Sequence, residues 1–246
     1  MLQELVIPFI LFLIIALLYS SVGHAGASGY LALMALLSFS PASIKPTSLV
    51  LNCVVALLTS IRFIREGYWD KSILFVFCLA SIPFAFIGGY LNVDVHYFKL
   101  LAGTFLLFSA VLLLIKEYWL EEVEEVKPMP VYAGILLGAS IGFISGLIGV
   151  GGGIFLSPVL ILMKWAKLKV VAGISAFFIL VNSIAGLSGH ISSIQKLDIK
   201  CVYWVIAVLV GGFIGSYLGA KKLNNRIIIS CLFLVLLSAG IKMLWV

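Results

Sequence analysis

Charge is what this chain has least of. Its 246 residues include 16 Lys and Arg and 10 Asp and Glu, 11% charged in all, where a soluble domain carries roughly 25%. With 63% hydrophobic residues and a mean hydropathy of +1.24, a soluble fold is excluded and an all-α integral membrane protein is expected. No acidic residue falls at membrane depth, since Asp70, Asp94 and Asp198 all lie near the ends of apolar runs. That argues against a carboxylate relay for cations or protons. The four cysteines, Cys53, Cys78, Cys201 and Cys231, sit inside apolar runs with neither CxxC nor metal-ligand spacing. They read as small core residues, and neither a metal nor a cofactor is expected. No polar stretch is long enough to fold as a separate domain, so whatever chemistry the chain performs lies within or between its helices. The net charge of +6 is a matter of loop placement, not a nucleic-acid footprint.

What the sequence has is a succession of apolar runs. Runs of about 20 residues cross a bilayer, whereas shorter ones suggest half helices. The first half predicts helices over 5–22, 44–63, 72–91 and 98–119 with a short segment over 28–39. The second half predicts 131–148, 170–191, 199–218 and 227–245 with a short segment over 153–163. Residues 3 and 4 are Gln and Glu, not the basic region that leads a cleaved signal, so the first run is expected to be retained. A charged linker, 120–130, separates two repeats over 1–119 and 131–246. One shift of 127 residues aligns Gly26 with Gly153, Ser48 with Ser175, and IGGYL at 87–91 with IGSYL at 214–218. Duplication is the simplest cause. An odd number of spans per repeat would invert the halves. Eleven of the 16 basic residues then fall on one side, which the positive-inside rule assigns to the cytoplasm, and Lys45, Lys99, Lys196, Lys200 and Lys242 on the other, with both termini outside.

Each half is broken by glycine at a corresponding place, GHAGASG over 23–29 and GVGGG over 149–153. Glycine lets a helix stop and restart at depth, and a restarted helix offers free N–H groups and a positive dipole end to an anion. The candidate site is therefore Gly23, His24, Gly26, Ala27 and Ser28 in one break and Gly151, Gly152 and Gly153 in the other. The alternative is close helix packing through small residues. Polar stripes at helical spacing add Ser48, Asn52 and Thr59, and in the other half Ser175, Asn182, Gly186 and Gly189. Ser48, Asn52, Ser175 and Asn182 are candidates for hydrogen bonds to substrate oxygens, or else glue between helices. His24 is a candidate for an anion ligand or a carrier of coupled protons, or else a hydrogen-bonded structural histidine. His190 reads as interfacial and His96 as a loop residue. Arg62 and Arg65 read as snorkelling cations at a cytoplasmic helix end. GASG at 26–29 also matches the serine motif of rhomboid intramembrane proteases, with Ser28 as nucleophile and His190 as its imagined base.

PTSLVLN at 46–52, IREGYWD at 64–70 and GLIGVGGGIFLSP at 146–158, in this order and with a break in each half, resemble the TauE/SafE sulfite exporter family, also called the 4-toluene sulfonate uptake permease family. The resemblance implies a multi-pass transporter in the plasma membrane of a bacterium or archaeon, carrying sulfite or organosulfonates, with export as the common direction. Together with the paired breaks, it leads to the expectation of a secondary transporter working by alternating access around a midplane anion site. Its partners would be the small anion and the bilayer, with coupled protons and a homo-oligomer left open. A passive anion channel and an intramembrane serine protease are the rival classes.

Overall fold

In the computed structural model, described over residues 2–21, 24–118, 125–190, 201–219 and 225–245, ten helices and no strands are present among the described residues. They are α1 Leu2–Ser21, α2 Ala27–Leu36, α3 Pro41–Arg65, α4 Lys71–Tyr90, α5 Val95–Tyr118, α6 Val131–Ile148, α7 Gly153–Leu162, α8 Leu168–Gly189, α9 Cys201–Gly219 and α10 Asn225–Trp245. Six of them, α3, α4, α5, α6, α8 and α9, are long and apolar enough to cross a membrane. Phe75, Leu79, Leu136 and Phe213 point outward and are more than 60% exposed. On a soluble surface such residues would be a liability; in a bilayer they face acyl chains.

Local signals explain the helix limits. Asp70 accepts a hydrogen bond from Ile73 N–H at 3.0 Å and so starts α4. Pro41 sits in the first turn of α3, where its missing N–H costs nothing. The two short helices stop alike. Ser38 (φ 58°) and Lys164 (φ 56°) turn left-handed, and the following N–H groups, of Phe39 and Trp165, reach back to Met34 O and Leu160 O at 2.9 Å each. These paired bonds satisfy carbonyls that a helix end otherwise leaves open. The correspondence between short helices is a shift of 126, Gly26 with Gly152, whereas α3 and α8 keep the shift of 127. The connection after α7 is one residue longer than that after α2, which the glycine alignment concealed.

The packing exchanges partners between the halves. α4 lies along α6 and also meets α8, while α1 lies along α9, which also meets α3. Gly134, Gly138, Gly142 and Gly146 recur every fourth residue on α6. A Cβ at Gly138 would come within 2.8 Å of Phe77 O, and one at Gly142 or Gly146 would press into Ser81 O or Ala85 O. The α9–α1 crossing uses the same device, Gly211 and Gly215 meeting Leu13 O and Leu17 O. Small residues supply close backbone approach where lipid gives helices no hydrophobic reason to associate.

Two apolar cores result. One joins α1, α2, α3, α5, α9 and α10 and takes in Ile148, Ile154 and Ile179 from α6, α7 and α8, and the other joins α4, α6, α7 and α8. Lys242 of α10 closes the first core by donating to Leu36 O at 2.7 Å and Ser38 Oγ at 2.9 Å, at the C-terminal end of α2. A cation there complements the negative end of the helix. Lys242→Met should cost about 0.5–1 kcal/mol, read as a lower melting temperature of the purified protein with α2 amides exchanging faster.

Candidate functional site

Both breaks are built by backbone that L side chains rarely adopt. Gly26 (φ 97°) and Gly152 (φ 79°) are left-handed residues at the N-caps of α2 and α7, with Gly149 (φ 89°) and Gly151 (φ 75°) just before. Neither N-cap makes a side-chain capping bond. A glycine N-cap has no side chain to take the first N–H groups of these two 10-residue helices, and the dipole at such an end favours negative charge. Ala27, Ser28, Gly151, Gly152 and Gly153 are all buried, as is His24, whose N–H donates to Tyr19 O at 2.9 Å. Gly23 lies outside the described residues.

A single face of α3 reaches both breaks. Ser48 Oγ donates to Ala27 O at 3.3 Å. One turn on, about 6 Å along the axis, Asn52 Nδ2 donates to Val150 O at 3.4 Å and Ser183 Oγ at 2.9 Å. Ser48, Asn52 and Ser183 are fully buried. Asn52 Oδ1 has no hydrogen-bond partner among the described residues, and a Cβ on Gly151 would collide with Asn52 Nδ2. Glycine is therefore required there twice, by its φ and by the side chain lying over it.

The remaining predicted residues divide. Ser175 Oγ shares a hydrogen bond with Ser157 Oγ at 2.8 Å, tying α8 to α7 four residues into the short helix. Asn182 Nδ2 donates to Phe178 O of its own helix at 2.8 Å, with Oδ1 unpartnered among the described residues, so no hydrogen bond among them ties it to a break. Thr59 Oγ1 likewise bonds its own helix, at Val55 O. His190, read as interfacial, caps α8 and is 8% exposed. Ser28 Oγ pairs with Tyr19 OH at 2.9 Å, where a protease dyad would need a histidine.

Four residues at the breaks escaped the sequence reading. Tyr19 holds Ser28. Tyr30 is fully buried, its hydroxyl unpartnered among the described residues and 2.8 Å from where a Cβ on Gly26 would lie. Ser183 is bonded by Asn52. Lys45, counted by the sequence among the outer flanking cations, is 5% exposed, with its Cγ 2.9 Å from a Cβ placed on Gly149. Tyrosine inside an apolar run carries no sequence signal beyond packing, but Lys45 follows Pro41 by four residues and so stands a full turn inside α3. No group of three or more His, Cys, Asp or Glu that would hold a metal occurs among the described residues.

Broken helices around buried hydroxyls and amides, inside a shell of lipid-facing helices, define a polytopic membrane transporter. The comparisons carry this further: the sequence pattern of the family described as "Sulfite exporter TauE/SafE" matches residues 8–243, and the chain belongs to that family. It is 37% identical over 243 residues to the "Probable membrane transporter protein y4hK" of Sinorhizobium fredii, covering 96% of each chain. It is 24% identical to the "Probable membrane transporter protein YunE" of Bacillus subtilis, covering 81% of this chain and 79% of that one. Over 146 residues it is 30% identical to the "Probable membrane transporter protein MJ0441" of Methanocaldococcus jannaschii, covering 58% and 52%. No solved structure matches the chain.

Proposed function

We propose that this transporter is a secondary carrier of small sulfur-containing oxyanions, sulfite or organosulfonates, held where the two glycine breaks face α3. The observation that carries the reading is that Ser48 and Asn52, one turn apart on α3, bond to the backbone of opposite breaks. The N–H groups at the starts of α2 and α7 hold the anionic head, and the hydroxyls of Tyr30 and Ser28 with the amide of Asn52 complete its shell. An anion leaving water needs such replacement bonds, because an unpaired charge at membrane depth is costly. The carrier sits in the plasma membrane of a prokaryote with both termini outside, the basic ends of α3 and the α7–α8 connection lying in the cytoplasm. Export is its direction.

Alternating access follows from the exchange of helices. α4 is packed with α6 and α8 of the other half, so the moving bodies are the two apolar cores and not the two sequence halves. α2 lies in the first core, while α7 gives Ile154 to the first and Leu156 to the second, and relative motion there opens the site to one side at a time.

Uptake of labelled sulfite into proteoliposomes tests the reading. Flux should saturate and be competed by methanesulfonate; flux linear in sulfite and indifferent to competitor would favour a channel. A Ser28→Ala variant should keep transport within about tenfold, the loss of one neutral hydrogen bond of about 0.5–1.5 kcal/mol. A peptidase activity abolished by Ser28→Ala would instead select the enzyme reading.

A further inference from the structure

We propose that Lys45 is the counter-charge of the transported anion, resting on the end of α4 when the site is empty. The inference builds on the anion-site reading and adds its charged member. Lys45 is buried in α3 at 5% exposure, seven residues before Asn52 on the same helix face. Its Nζ donates to Gly88 O at 3.4 Å and Gly89 O at 3.2 Å, carbonyls in the last turn of α4. These are long bonds for an ammonium. No carboxylate pairs with it among the described residues, where the one ion pair is the exposed Arg62–Glu66 contact at the far end of α3. A buried ammonium with two carbonyls and no anion is a charge left uncompensated, and such residues in membrane proteins are maintained for ion pathways.

Position supplies the second argument. The Lys45 stem lies on Gly149, and two residues on, about 7 Å of chain, Gly151 lies under Asn52. The lysine has four methylenes and three rotatable donors, so its head can leave the α4 carbonyls for an anion at the second break without movement of the backbone. Lys45 belongs to α3 in one apolar core, while Gly88 and Gly89 belong to α4, which packs in the other. The empty protein is thus latched across the two cores. An anion that draws the ammonium away loosens the latch, coupling occupancy to motion.

Sulfite affinity of purified Lys45→Met and Lys45→Arg, read as ligand-induced shifts in melting, separates this role from a helix cap. Lys45→Met should weaken sulfite at least about 30-fold, the low end of the range for removing one member of a buried charge pair, while Lys45→Arg keeps affinity within about tenfold. A lysine that only caps α4 would lower the melting temperature of the empty protein and leave sulfite affinity unchanged, which overturns the proposal. Should Lys45→Met fail to fold, wild-type crystals with selenite, the selenium analogue of sulfite, decide. Anomalous density within about 4 Å of Nζ, a contact ion pair, is expected. Selenite at the break but remote from Lys45 would reject the lysine and leave the anion site standing, whereas no sulfite binding to wild type would reject the site itself.

Discussion

Gly151→Ala is expected to reduce sulfite transport to the level of empty vesicles while the protein still inserts and elutes as a single species. Two costs coincide at this residue. Its φ of 75° penalises any Cβ by about 1–2 kcal/mol, and that Cβ would occupy the place of Asn52 Nδ2 and lie 2.8 Å from Ser183 Oγ. The Asn52 amide must then leave Val150 O, separating α3 from the break. Insertion depends on the hydropathy of the long helices and not on this loop, so the defect should appear in flux and sulfite affinity. Equal flux in wild type and Gly151→Ala at matched protein density would place the anion elsewhere.

Gly146→Leu should act at the level of the fold. Gly146 faces Ala85 O with no space for a Cβ, and its Cα is 3.4 Å from a Cβ placed on Gly186. α4, α6 and α8 thus meet backbone to backbone at one level, with Gly89 pressed against Gly186 O. A leucine would force α6 from α4 along the whole Gly138–Gly146 stripe, and overpacking of this kind costs about 1–3 kcal/mol or more. The expected result is loss of monodisperse protein on size exclusion, in contrast to Gly67→Ala, where a Cβ meets nothing within 4 Å and only the positive φ resists. Monodisperse, transport-competent Gly146→Leu would refute the close crossing.

The helices themselves were legible in the sequence. The expected 72–91 became Lys71–Tyr90, and the expected 153–163 became Gly153–Leu162, because hydropathy and glycine act locally and the membrane fixes length. The breaks were legible for the same reason, as was the polar face of α3, since Ser48 and Asn52 are one turn apart. Partner exchange was not: nothing local tells α4 to choose α6. The glycine stripe on α6 shows a close contact without saying with which helix. The one-residue offset between short helices was hidden because GVGGG offers several glycines for one alignment. The burial of Lys45 was not legible because a lysine near the start of an apolar run ordinarily reaches back to the interface; here its head is held inward by Gly88 and Gly89.

Exchange across the membrane tests the account most directly. Proteoliposomes loaded with labelled sulfite should release it several-fold faster when unlabelled sulfite is added outside, because a carrier with one site accessible alternately to each side returns faster loaded than empty. Release unaffected by outside sulfite, with protein shown to be folded and inserted, would contradict a sulfite carrier built on the paired breaks.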